Sequence, residues 1–312
     1  MKAKHVKKKK SRLPAVGAVL LLLAGLGVML YPTINDLYSR WLTQEDIAQY
    51  NQVMEAEAAD YSDLWDAAEA YNRDLAETGV FGGSVGTEER QEVSGLLNPL
   101  GTGMMGYIDI PKIDVHLSIY QGIEESVLQA GAGYWLGTSL PTGGAGTHCV
   151  LTAHNGLVRA KMFTDLDQLE IGDTFSLSIL DRVLTYEVDR ILVTEPNDLE
   201  PLQIVPGEDL VTLYTCTPYG VNTHRLLVRG HRIATPEDPE PVTVMEVVSG
   251  GMSALEAAVW IALLVLSVLL ILLALRALIR QAKAPPPKRL NTAPRRRLRD
   301  RRHFTDSDDT RK

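Results

Sequence analysis

Two stretches of nineteen residues without a charge, Leu13 to Tyr31 and Ala257 to Leu275, constrain this chain more than any other feature. At about 1.5 Å of rise per residue, a helix of that length just crosses a hydrocarbon core of roughly 30 Å. A helix apolar on every side has no solvent face to offer a globular domain. Both stretches therefore read as membrane spans. The first is long for the apolar core of a secretory signal, and no A-x-A-like site follows it, so it is expected to be an uncleaved anchor. The second ends at Arg276 and Arg280.

Charge orients the pair. Residues 1–12 carry seven Lys/Arg and no acid, and residues 276–312 carry thirteen Lys/Arg against four acids. The segment between them keeps eleven basic and thirty-five acidic residues, a net charge of −24. The positive-inside bias puts both termini in the cytoplasm and the acidic middle outside. The basic flanks abut the spans, where they meet anionic headgroups, so they are assigned to the membrane surface and not to nucleic acid.

The texture of the chain changes twice. Residues 32–76 read helical: Ile47, Tyr50 and Met54, then Leu64, Ala67, Ala68 and Tyr71, recur at spacings of three and four. Residues 77–103 form a Gly-rich connector. From 104 to 235 short β-branched runs such as "MMGYIDI", "HCVLTAH", "VLTYEVDRILV" and "LVTLYTC" alternate with Gly, Pro, Asn and Asp. Two short helical stretches, near 124–130 and 160–168, interrupt them. Many strands with few helices suggest a closed or nearly closed barrel. A Pro-rich acidic linker, 236–253, leads to the span at 254–275 and the basic tail at 276–312.

Two motifs are decoys. "GTGMMG" at 101–106 fits G-x-G-x-x-G, but a loop precedes it and a strand follows, the reverse of what a dinucleotide site requires. His148, Cys149 and His154 are possible zinc ligands, yet their spacing fits no common zinc pattern and a fourth ligand is not apparent. The two cysteines are more informative. Outside a membrane they would ordinarily pair. Cys149, however, sits inside a strand-like run, where a small thiol packs well. Cys216 ends its strand before the turn "TPYGVNT", and the next strand would return Arg225 beside it. A guanidinium there favours thiolate and can donate to an oxyanion. A nucleophilic cysteine also needs a proton donor. Of the external histidines His116, His148, His154, His224 and His231, only His154 ends a strand and opens a loop, so it is the candidate.

These residues resemble a known family. "VTLYTC" followed by Arg225 matches the sortase signature T-L-x-T-C. The stretches "GYIDIPKIDVHLSIYQG", "GTSLPTGGAGTHCVLTAHNGL", "MFTDLDQLEIGD" and "TLYTCTPYGVNTHRLLVRG" look like the pilin-polymerising class C sortases of Gram-positive bacteria. The resemblance covers about residues 104–233, with the helical N-terminal region and the two-anchor layout. It implies a mostly β fold, a sortase-like β-barrel of about eight strands with short helices, preceded by N-terminal helices and flanked by two transmembrane helices. It implies Cys216 as nucleophile, His154 as general acid/base and Arg225 as oxyanion stabiliser, with no metal or organic cofactor. The implied substrate is an L-P-x-T-G-like sorting signal, cut between Thr and Gly through a thioacyl-enzyme and joined to an amine, typically a pilin lysine. There are two departures. Class C lids often carry an Asp-Pro-aromatic anchor, and none occurs in 77–103, where Phe81 is the only aromatic and so the candidate anchor. Cys149 also stands where related sequences often have serine. Three rival functions are open: a sortase attaching surface proteins to the cell-wall peptide, a non-catalytic, membrane-tethered binding domain, and an ordinary secreted cysteine peptidase with water as acceptor.

Overall fold

The computed structural model describes residues 13–56, 60–78, 93, 95–157 and 160–235, with isolated positions 267, 268, 271 and 276. The anchor of the connector at Phe81 and nearly all of the second span lie outside the described residues. Two helices lead in, α1 (Leu13–Ala56) and α2 (Ser62–Thr78). Pro32 lies inside α1. Among the described residues no single helix is long and apolar enough to cross a membrane, but the bent pair Leu20–Pro32 and Ile34–Met54 meets the length and composition required. The bend of 40° falls at the proline, which removes an amide donor and crowds the preceding turn.

Eight strands then close into one barrel: β1 (Met104–Ile110), β2 (Val115–Gln121), β3 (Ala132–Tyr134), β4 (Thr147–Thr152), β5 (Thr174–Ile179), β6 (Arg182–Thr194), β7 (Asp209–Thr217) and β8 (His224–Ile233). They are ordered β1-β2-β3-β4-β7-β8-β6-β5 around the wall. The pairs β2/β3 and β4/β7 are parallel and the others antiparallel. A four-residue helix, α3 (Glu125–Leu128), bridges β2 and β3. Closure leaves no open sheet edge, and alternate residues of every strand fill the interior. Cys149, Leu151, Val211, Leu213, Leu226 and Val228 face inward in the main core. Their neighbours Val150, Tyr214 and Leu227 face outward and form a second cluster with Trp135, Leu192, Leu199 and Leu202. The β6–β7 connection thus packs on the outer face of β4, β7 and β8. It forms one wall there.

The helices are fastened to the barrel by polar atoms on buried side chains. The Tyr50 hydroxyl donates to the Met105 carbonyl at 2.9 Å and accepts from the Leu180 amide at 2.8 Å. Trp65 Nε1 donates to Asp181 at 2.8 Å. Asn72 donates to Leu140 O and Thr142 Oγ1 and accepts from Leu140 N. The buried stripe of α2 is Trp65, Ala68, Asn72 and Leu75. Of the expected stripe, Ala68 is buried and Leu64 and Tyr71 pack against the core, but Ala67 is exposed, and Trp65, unused in the periodicity, is buried. Another difference is β3, three residues long, which carries no alternation of its own and exists because β2 and β4 flank it.

Candidate active site

Three strand ends meet at one rim of the barrel. β4 and β7 run parallel with Thr152 opposite Tyr214, and the pairing continues past the end of β4: Ala153 N donates to Tyr214 O at 3.3 Å. Two steps beyond that register lie His154 and Cys216. β7 and β8 are antiparallel with Cys216 directly opposite Arg225, and β6 continues the row with Thr194 opposite Arg225. Directly opposed residues share a face, and residues two apart on a strand share it too. Val150, Tyr214 and Leu227 point outward, so His154, Cys216 and Arg225 form an outward row at the rim, above the wall made by the β6–β7 connection.

The row is pinned by contacts between segments far apart in sequence. Thr215 turns inward, and its hydroxyl donates to Ala153 O at 2.7 Å. Asn155 Nδ2 donates to Cys216 O at 2.7 Å. The Phe163 amide donates to His154 O at 3.1 Å, tying the loop after His154 back on itself. Arg225 Nη1 donates to Asn222 O and His224 O at 3.0 and 2.9 Å, the carbonyls of its own turn. Asn222 sits at φ 59° to make that turn. The guanidinium also lies near enough to the Tyr214 hydroxyl to act on it. Burial raises the Tyr214 hydroxyl pKa, and Arg225 works against that rise. Gly156, at φ +85°, lies under the Tyr219 ring; a β-carbon there would come within 2.7 Å of it.

Both cysteines are free thiols. Cys149 is buried, and burial pushes its thiol far above the usual range, as expected for a packing residue. It pairs with Val211, five residues along β7 from Cys216, a separation of about 16 Å at strand rise. The two thiols also point to opposite faces. A disulfide is therefore out of reach. The same opposition of faces separates Cys149 from His148 and His154.

Three other histidines have partners elsewhere. His148 bridges Gln203 O at 2.8 Å and Thr212 Oγ1 at 2.7 Å, and burial lowers its pKa to about 4. His116 pairs with Asp109, and His224 contacts Thr223 Oγ1 at 2.9 Å. His154 is partly exposed, and its Nε2 lies 3.4 Å from Glu125 Oε2 on α3. Glu125 and Asn155 were missed in the sequence because they lie 29 and 61 positions from the residues they meet.

The chain as a whole is similar to known proteins. A family profile described as "Sortase domain" matches residues 108–233. Sortase C1 of Streptococcus agalactiae is 44% identical over 62% of this chain and all of its own, with a TM-score of 0.59. The chain belongs to the sortase family. It is a cysteine transpeptidase, as that family is. The sortase is also similar to sortase C of Streptococcus pneumoniae, 42% identical over 61% of this chain and 97% of that one, TM-score 0.55. Sortase A of Bacillus anthracis is more distant, 25% identical over 72% of this chain and 97% of its own length.

Proposed function

We propose that this sortase polymerises pilins, with Cys216 as nucleophile, His154 as general acid/base and Arg225 as oxyanion stabiliser. The observation that carries the proposal is the outward row His154–Cys216–Arg225 across three adjacent strand ends. The Cys216 thiolate attacks the Thr carbonyl of an L-P-x-T-G-like signal, and the carbonyl oxygen takes up the charge beside Arg225. As the Thr–Gly bond breaks, the proton on His154 passes to the departing glycine amine. An incoming lysine ammonium must lose two protons to become an amide nitrogen. One returns to His154, the other goes to solvent, and the thiolate leaves as the isopeptide bond forms. No step calls on a metal or an organic cofactor.

The greater likeness to sortase C structures than to the Bacillus sortase A supports the polymerising reading over attachment to the cell wall. The solved sortase C from Streptococcus pneumoniae is described in terms of pilin substrate specificity. The same proposal includes a two-pass topology with the barrel outside, and a cover over the cleft formed by the connector, with Phe81 as its anchor. These last two rest on the sequence alone. A sorting-signal peptide with a trapping electrophile at the Thr carbonyl should label Cys216, and Cys216→Ala should abolish transpeptidation while the protein stays folded. Label recovered on any other residue overturns the assignment. In the same assay Phe81→Ala should speed labelling; equal rates would remove the cover from the proposal.

A further inference from the structure

We infer that Glu125 is a positioning residue for His154, its carboxylate holding the imidazole and favouring its protonated form. This rests on the assignment of His154 as the acid/base. The observation is the juxtaposition at the end of β4. His154 Nε2 is shielded from solvent and makes no hydrogen bond among the described residues. The acidic group facing it is Glu125 Oε2 at 3.4 Å, within ion-pair distance though longer than a charge-assisted hydrogen bond of about 2.7–2.9 Å. Gln129 Nε2 donates to the other oxygen, Oε1, at 2.8 Å. Glu125 and Gln129 are four apart, one helical turn, so this bond orients the carboxylate. Gln129 holds Oε1, and Oε2 is the oxygen 3.4 Å from the ring.

A shielded ring nitrogen without a hydrogen bond loses solvation, and loses most when the ring is charged. Protonation of His154 gives Nε2 a hydrogen to donate, and Glu125 is there to receive it. The pair then closes as a charged hydrogen bond. Among the described residues, Glu125 on α3 faces the imidazole, and the strand register sets Cys216 on β7 and Arg225 on β8 in the same row. Arg225 opposes an imidazolium, while a Cys216 thiolate favours it. Glu125 adds a second negative charge near the ring. It helps keep His154 charged at the moment the glycine amine needs its proton. Its carboxylate is largely open to water, 64% exposed, so screening limits the effect.

The test uses the full chain in detergent, wild type against Glu125→Gln and Gln129→Ala. The His154 titration midpoint is read from its imidazole NMR shifts, and acylation by a sorting-signal peptide is followed against pH. An opposite charge within about 4–6 Å typically moves a pKa by roughly one unit or more, and an exposed one by less. Glu125→Gln should therefore move the midpoint to lower pH by up to about one unit, with kcat/KM for acylation reduced by up to about tenfold at pH 7.5. Gln129→Ala should move it the same way by less. An unchanged midpoint in Glu125→Gln overturns the inference, as does a lower kcat/KM without a change in midpoint. His154→Ala separates this outcome from failure of the assignment beneath it: full acylation in that variant would remove His154 itself, whatever Glu125 does.

Discussion

The signature T-L-x-T-C divides its labour between two faces of one strand. Thr215 points into the barrel and locks β7 to the end of β4 through Ala153 O. Cys216, one step on, faces outward beside His154 and Arg225. The threonine thus sets the registry that brings the other two into line. Arg225 is constrained more tightly than charge alone would require: one guanidinium nitrogen serves two carbonyls of its own turn. A lysine offers one point charge on a flexible stem and cannot hold those partners while facing an oxyanion. Arg225→Lys should accordingly lower kcat by about 10²-fold or more, the usual cost of losing an oxyanion donor, with KM for the signal peptide little changed. Steady-state kinetics check this; near-normal kcat would mean that positive charge is all the position supplies.

At the level of helices and strands, the attachment of α2 turns on one polar side chain. Asn72 is buried and makes three bonds with the segment before β4, two of them to both backbone groups of Leu140. Asn72→Ala would leave that amide and carbonyl buried without their partner. Each unsatisfied group costs about 1–3 kcal/mol, so the variant should lose roughly 2–4 kcal/mol of stability. Denaturation of the detergent-solubilised protein measures it. A loss below about 0.5 kcal/mol would show that water or rearrangement satisfies Leu140. A second fastening joins α1 to the loop after His154: Arg40 bonds Asp36 and Asp114, and Asp36 accepts from the Lys161 amide. The helix that leads from the apolar N-terminal stretch therefore touches the loop that begins at the proposed acid/base.

For the molecule taken whole, pH acts through His148. Its imidazole lies between Gln203 O and Thr212, with its pKa lowered to about 4 by burial. An unfolded histidine titrates near 6.5. Between about pH 6.5 and 4 the unfolded chain binds a proton the folded one refuses, so stability falls as pH falls across that window. It is fully present above pH 6.5. Urea midpoints should drop over this interval more steeply in the wild type than in His148→Gln. Parallel curves would mean that the imidazole finds water when protonated. The two-anchor topology is tested on intact, wall-stripped cells: tags at residues 1 and 312 should survive added protease, and cleavage of the C-terminal tag would overturn the second span.

Hydropathy, charge and strand texture are local properties, and the sequence by itself determined what depends on them: a β domain after helices, an apolar stretch at each end, and the family through its ordered motifs. The pairing of Cys216 with Arg225 was also legible, because only a short turn separates them and an antiparallel return leaves little choice of register. The tertiary structure alone decided contacts made across the barrel. β3 has too few residues for a periodic signal and becomes a strand by filling the gap between β2 and β4. Asn72 reads as a surface residue until Leu140 meets it. Trp65 is drawn into the interface by Asp181 and by the Arg182 guanidinium 4.1 Å above its ring. Asn155 on a loop and Glu125 on α3 reach the His154–Cys216–Arg225 row from segments whose placement depends on the closed sheet. Such contacts join segments dozens of residues apart, and no window of sequence contains both partners; only closure of the barrel brings them within a hydrogen bond of each other.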